Sequence, residues 1–338
     1  MVMGITGILP NLGVVVTSLI ILVFGAEELI KSLTSLAKRF DISDVFIAMT
    51  LVSVGTSLPE ITAHVISSLG ILSGILNYEI ASSAVLGGNI GSDVVQQTLV
   101  VGLVVIAMGG LKFEKDFLKK DYLPMIGTTL LTLVLCVNPF IFSDFGILSR
   151  WDGLVLLGSF LGYMYFLWKK QSSIVHKHPE RSPSESVPKD LLVTLIGMAA
   201  ILVSAHIALS ATQELVKMTG LSGSMIGVAT LGIASALPEM FTAISGIKHK
   251  AAGISLGTLI GSNITNPLLG IGLGSLISTY YVPKPLYLWD LPMETITAGL
   301  LLIYLLFHHE KLGRLGGVYL IGLYIFYIII RFMFFPVD

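Results

Sequence analysis

The sequence predicts an all-α polytopic membrane protein: ten transmembrane helices in two inverted five-helix repeats, with broken helices at a site near the bilayer midplane. Three observations predict it. Of the 338 residues, 54% are hydrophobic and only 12% are charged, with a mean hydropathy of +0.87; a soluble domain carries about a quarter charged residues. Windows of roughly 20 mostly apolar residues, the length that crosses the hydrocarbon, recur near 11–31, 43–69, 80–108, 122–140, 150–168, 190–216, 221–247, 251–278, 292–307 and 316–335. Finally, Pro-Glu stands inside an apolar run twice, as GTSLPE at 55–60 and as ASALPE at 234–239. Helices are required because backbone polar groups in lipid must be satisfied within the segment, and the alternation of barrel strands is absent.

Taken in order, the first span follows a stretch without Lys or Arg and precedes no A-x-A-like cleavage site, so it is expected to be retained rather than removed as a signal peptide. With the N-terminus outside, the inner loops hold 16 of the 20 basic residues, from Lys31, Lys38 and Arg39 to Lys177, Arg181, Lys250, Lys311 and Arg314. Only Arg150, Lys217, Lys284 and Arg331 stay outside. The positive-inside rule favours that orientation, in a cell (plasma) membrane. Trp151, Trp168 and Trp289 fall at span ends, as interface anchors do. The polar, proline-containing stretch 171–190 reads as a cytoplasmic linker between a first repeat, 1–170, and a second, 191–338. Cys136 is the single cysteine, which excludes an internal disulfide and a cysteine-based metal cluster.

The halves are related in sequence. DISDVFIAMTLVSVGTSLPEIT (41–62) aligns without a gap against GLSGSMIGVATLGIASALPEMF (220–241), and LGGNIGSDVVQQTLVVG (86–102) against LGTLIGSNITNPLLGIG (256–272). Five spans per half is an odd number, so the second half enters from the opposite side. Inverted repeats with interrupted helices at matching places point to a transport site at the midplane.

The chemistry at that place follows from the residue types. Pro59 has no N–H and crowds the carbonyl of Gly55, as Pro238 does that of Ala234, so each helix is expected to break and leave carbonyl oxygens unpaired. Glu60 and Glu239 follow at once, beside the hydroxyls of Thr56, Ser57 and Ser235. Carbonyls, hydroxyls and carboxylates together are what a hard cation takes. A lone proline often only kinks a membrane helix, and a lone glutamate can be a helix-to-helix hydrogen bond. Two copies of the same pattern outweigh that reading, because each buried carboxylate costs at least about 2–3 kcal/mol. Ser92 and Gln96 lie four apart on one helical face, as do Ser262 and Asn266. Gly91 and Gly261 allow close helix approach. A single serine would be read as bonding back to its own helix; the matching register favours a ligand. Asp93 stands opposite Asn263, either as a third carboxylate of the site or as a buried proton carrier. Glu27 and Glu28 read as interface-solvated, and His206 as a packing residue. His308-His309-Glu310 lacks both a spaced partner and the H-E-x-x-H pattern.

GTSLPE followed by GNIGSD, repeated as ASALPE followed by GSNITN, resembles the two α-repeats of the calcium:cation antiporter superfamily, closest to its sodium/calcium exchanger branch. The resemblance implies ten helices, alternating access, no cofactor, and calcium and sodium competing for shared oxygens. Carried over by position, it implies calcium ligands at Glu60, Glu239, Thr56 and Ser235 and at the carbonyls of Ser53 and Gly232. It implies sodium ligands at Ser57, Ser92, Gln96, Ser262 and Asn266. The sequence departs from the pattern at Ala236, where serine is usual, and at Gln96 and Asp93, where asparagine is usual. The G-N-x-x-E motif of the calcium/proton branch is not present.

The expectation is thus a non-enzymatic antiporter moving calcium against sodium, with membrane lipid as its surroundings and no nucleic-acid partner. A proton-coupled antiporter, with Asp93 or a glutamate as carrier, is the nearest rival. No G-x-x-x-x-G-K-[ST] motif supplies an ATP-driven step. An intramembrane enzyme would need a nucleophile–base pair at a suitable spacing, and a channel needs no inverted carboxylates.

Overall fold

The computed structural model describes residues 44–137, 146–173, 187–217, 223–249 and 252–336, with Asp338 and scattered helical positions between 10 and 35. Helical stretches cover 44–72, 78–107, 115–137, 150–173, 187–217, 223–248, 252–277, 286–307 and 314–334. Together with the helical positions before 36, they follow the ten predicted windows in order. Five of them, Tyr78–Ala107, Lys115–Val137, Gly223–Ile247, Leu286–Phe307 and Arg314–Phe334, are each long and apolar enough to cross a membrane. The protein is an integral, multi-pass helical membrane protein.

The repeat is visible in the backbone. Single π-helical turns fall at aligned positions of the two halves: Ala48–Val52 with Gly227–Leu231, Gln96–Val100 with Asn266–Ile271, and Leu118–Tyr122 with Leu286–Asp290. The last pair precedes Pro124 and Pro292, which cannot donate to the carbonyl four residues back, so a wider turn there costs less. Among the described residues, four two-residue strands tie the halves together: β1 (Leu111–Lys112), β2 (Ile147–Leu148), β3 (Tyr280–Tyr281) and β4 (Lys311–Leu312). β1 pairs antiparallel with β4, and β2 with β3. Each ladder therefore joins one loop from each half, and the two ladders exchange under the repeat symmetry. The loops after the third and ninth spans share one face of the bundle, and those after the fourth and eighth share another, as the span alternation requires.

Glycines let the central helices cross at backbone distance. A Cβ built on Gly91 would lie 2.7 Å from the Val228 Cα, and one on its repeat mate Gly261 would lie 2.8 Å from the Met49 Cα. The third span thus crosses the seventh, and the eighth crosses the second, by the same contact. Outside this core, a buried ion pair joins Arg331 Nε to Asp290 Oδ2 at 3.0 Å. Tyr327 donates to the other Asp290 oxygen at 2.7 Å, and Arg331 Nη2 donates to Ser224 Oγ at 2.5 Å. One network therefore fastens the seventh, ninth and tenth spans.

Some expectations change. Trp151 and Trp168 are exposed, 62% and 64%, but Trp289 is no simple anchor: it stacks on Tyr327 and Phe335 and donates to the Tyr327 carbonyl at 3.3 Å. The fourth span begins at Lys115 rather than near 122, because the charged residues 115–121 form helix directly after β1. Glu28 is exposed and pairs with Lys31 at 2.7 Å. Glu310 pairs with Lys115 at 3.5 Å, and His308 stacks on Tyr304. Glu27, Lys38, Arg39, Lys177, Arg181, Lys250, the His206 side chain and linker positions 174–186 lie outside the described residues.

Candidate ion-binding site

The second and seventh spans each break for a single residue. Ser57 (φ −78°, ψ 0°) separates helix Ser53–Thr56 from Leu58–Leu72, and Ala236 (φ −75°, ψ −7°) separates Gly232–Ser235 from Leu237–Lys248. In both, proline sits in the first turn of the second helix, where a missing N–H is tolerated. The break leaves the preceding turn bonded. The Ser53 carbonyl still accepts Ser57 N–H at 3.0 Å, and that of Gly232 accepts Ala236 N–H at 3.1 Å. The physical reason is register: proline withholds a donor from the carbonyl four residues back, at Gly55 and Ala234, and not from Ser53 or Gly232. The carbonyls of Ser53 and Gly232 are therefore not unpaired, although each keeps a second lone pair for a ligand.

Each break delivers a glutamate to the bundle centre. Glu60 is 5% exposed and Glu239 0%. Ser92 Oγ donates to Glu60 Oε1 at 3.2 Å, and its repeat mate Ser262 donates to Glu239 Oε1 at 2.9 Å. Ser235 lies beside Glu60, and Thr56 beside Glu239, so each half supplies a hydroxyl to the carboxylate of the other. Those two hydroxyls also turn back to Gly232 O at 3.5 Å and Ser53 O at 3.4 Å. The second oxygen of each glutamate, Oε2, is buried with no hydrogen-bond partner. A buried carboxylate oxygen without a partner is costly, so a pair of them within one core implies a ligand that supplies positive charge.

The remaining predicted residues surround this pair. Ser57 Oγ lies 2.8 Å from Ser262 Oγ. Its two-fold counterpart would join residue 236 to Ser92, and Ala236 has no hydroxyl to make it. Ser92 instead accepts Gln96 Nε2 at 3.2 Å, so Gln96 stands one step behind the glutamates. Asn266 Nδ2 donates to Asp93 Oδ1 at 2.7 Å. Asp93 is thus buried and paired with Asn266 of the other half.

Sequence reasoning missed several polar groups. Glu294, 2% exposed in the ninth span, accepts Gln97 Nε2 at 3.4 Å, and Gln97 also donates to Asn263 Oδ1 at 2.8 Å. The signal was present: YLPMI (122–126) aligns with DLPME (290–294), and only the second half has an acid at the last position. His64 was also missed; its Nδ1 lies 3.1 Å from the Tyr280 hydroxyl and its Nε2 3.1 Å from Asn89 Nδ2. A cleft of about 270 Å³, lined by Pro59, Glu60, His64, Asn77, Asn89 and Ser235 among others, reaches from Glu60 to the turn joining the second and third spans.

A lipid-spanning bundle whose two inverted halves cross at paired buried glutamates belongs to the class of membrane cation exchangers. The model of the family described as sodium/calcium exchanger protein matches residues 10–169 and 189–333, and the chain belongs to that family. Sodium/calcium exchanger MaX1 of Methanosarcina acetivorans is 25% identical, over 95% of this chain and 98% of its own length. Inner membrane protein YrbG of Escherichia coli is 27% identical, over 95% and 97%. The solved sodium–calcium exchanger NCX_Mj, soaked with sodium and strontium, superposes with a TM-score of 0.75 at 26% identity, covering 94% of this chain and 97% of that one. The fold class and the exchanger assignment therefore stand, with calcium and sodium as the ions of the family.

Proposed function

We propose that this chain is a secondary antiporter exchanging calcium for sodium by alternating access, with calcium held between Glu60 and Glu239. The single observation that carries this reading is the pair of buried, unpartnered carboxylate oxygens, Glu60 Oε2 and Glu239 Oε2, delivered by two-fold-related breaks. Two carboxylates neutralise one calcium, and Thr56, Ser235 and the free lone pairs of Ser53 O and Gly232 O complete an oxygen shell of the kind calcium takes. Sodium would occupy the flanking oxygens of Ser57, Ser92, Gln96, Ser262 and Asn266.

The cleft from Glu60 to the second–third turn supports a conformation open on that side. Positive-inside counting makes that side the exterior, with the linker 171–190 cytoplasmic and the membrane that of the cell. Alternating access then requires the crossing pairs of helices to rock so that the site opens to the other side in turn.

A proton-coupled version is favoured by one specific observation, the buried Asp93 beside the further acid Glu294. Reconstituted vesicles decide between them. Calcium uptake driven by an imposed sodium gradient, and unresponsive to a pH gradient, is the expected result; uptake that follows only the pH gradient would overturn sodium coupling.

A further inference from the structure

A second group of acids lies off the two-fold axis. Asp93 in the third span is 1% exposed and Glu294 in the ninth 2%. Asp93 lies within electrostatic reach of Glu294 as well as of Glu239. Glu294 in turn faces Asp290, whose charge is already matched by Arg331. Neither acid has an acidic repeat mate, since Asn263 and Ile126 hold those places. The inverted repeat that builds the central site therefore does not account for this pair.

Two amide oxygens beside these acids point to a ligand. Gln97 spends its Nε2 on Glu294 and Asn263, and its Oε1 is buried with no partner. Asn266 spends its Nδ2 on Asp93, and its Oδ1 is likewise buried with no partner. An unmatched acceptor beside a carboxylate calls for a cation, since a buried acceptor without a partner is costly. A proton on one acid could donate to one amide oxygen, whereas a single cation between the two acids would satisfy both amide oxygens at once.

We infer that Asp93, Glu294, Gln97 Oε1 and Asn266 Oδ1 form a second cation site that takes one sodium ion, between the third and ninth spans beside the calcium site. This deepens the exchange reading and rests on it for its role as counter-ion site. A chain of hydrogen bonds links the new site to the old one. Gln97 donates to Asn263, Asn263 to Gln96 at 3.0 Å, Gln96 to Ser92, and Ser92 to Glu60. A sodium ion that draws Gln97 Oε1 turns that amide and reorients the chain ending at the calcium ligand, which couples the two ions.

The test is equilibrium binding of radioactive sodium to the purified full chain without calcium, at constant ionic strength. Glu60→Gln/Glu239→Gln is expected to retain the sodium ion of this site, and adding Glu294→Gln to it should lower the bound sodium by one ion per chain. Gln97→Met, which keeps both carboxylates, should raise the half-saturating sodium about tenfold, the loss of one ligand oxygen. An unchanged isotherm in Glu294→Gln overturns the site, as does a variant that alters only the pH dependence of calcium uptake, which would assign the pair to protons. Should Glu294→Gln not give a monodisperse protein, an unchanged isotherm in Gln97→Met overturns it instead. Calcium uptake that ignores a sodium gradient, with sodium still bound through Glu294, would refute the exchange reading and leave the site standing.

Discussion

Replacing Glu60 by glutamine removes one charge and little else. The amide keeps the length of the side chain, and its oxygen can still accept from Ser92 at the 3.2 Å contact. What is lost is the attraction between one carboxylate and a divalent ion. At an effective dielectric of about 20, two unit charges about 4 Å apart attract by about 4 kcal/mol, so a divalent ion and one carboxylate attract by about 8. Part of that is offset, because the variant no longer desolvates the lost charge and no longer sets Glu60 against Glu239. If a third survives, about 3 kcal/mol remains, about a hundredfold in the calcium dissociation constant. The assay is calcium uptake into vesicles over a concentration series, with the purified variant checked for a monodisperse profile. Glu239→Gln should shift uptake by a similar factor, because it occupies the two-fold-related position with the same serine contact. A shift below about tenfold in both variants would refute a shared calcium site, since it leaves less than about 1.4 kcal/mol for a full charge in a dry core.

Three further perturbations test the surroundings. Ala236→Ser restores the hydroxyl that Ser57 supplies in the other half and places it toward Ser92; the sodium concentration for half-maximal calcium uptake should fall severalfold, and an unresponsive sodium curve together with lost pH-driven uptake in Asp93→Asn would mean proton coupling. Deleting ten residues within 171–190 should leave uptake unchanged at equal expression, because the linker is polar and proline-containing and the repeats pack by their own faces; lost uptake would make it a working part of the transporter. Gly232→Ala would set a Cβ 2.6 Å from the Gly91 carbonyl carbon and 2.7 Å from Ser92 N, so the crossing of the third and seventh spans must open. About 1–3 kcal/mol of overpacking should appear as a lower midpoint of thermal unfolding in detergent, and an unchanged midpoint would mean the crossing is looser than the backbone contact implies.

Much of this molecule was legible in its sequence, for physical reasons that act locally. Lipid forces each span to close its own backbone hydrogen bonds, so hydropathy places the helices, and the windows from the second to the tenth match the helical stretches to within a few residues except at the starts of the fourth and ninth, which begin at 115 and 286 rather than near 122 and 292. The two Pro-Glu motifs located the breaks, and the gap-free alignment paired Ser92 with Ser262 and Gly91 with Gly261, pairs that the fold uses in the same way. The tertiary structure alone showed that each break is one residue long, so that Ser57 and Ala236 still donate to the carbonyls of Ser53 and Gly232. It alone brought Thr56 to Glu239 and Ser235 to Glu60, contacts between halves about 180 residues apart. It alone placed Glu294 beside Asp93. A single acid near the start of an apolar span looks the same in sequence whether it faces headgroups or the core, and only the packing of the ninth span against the third puts it at the centre.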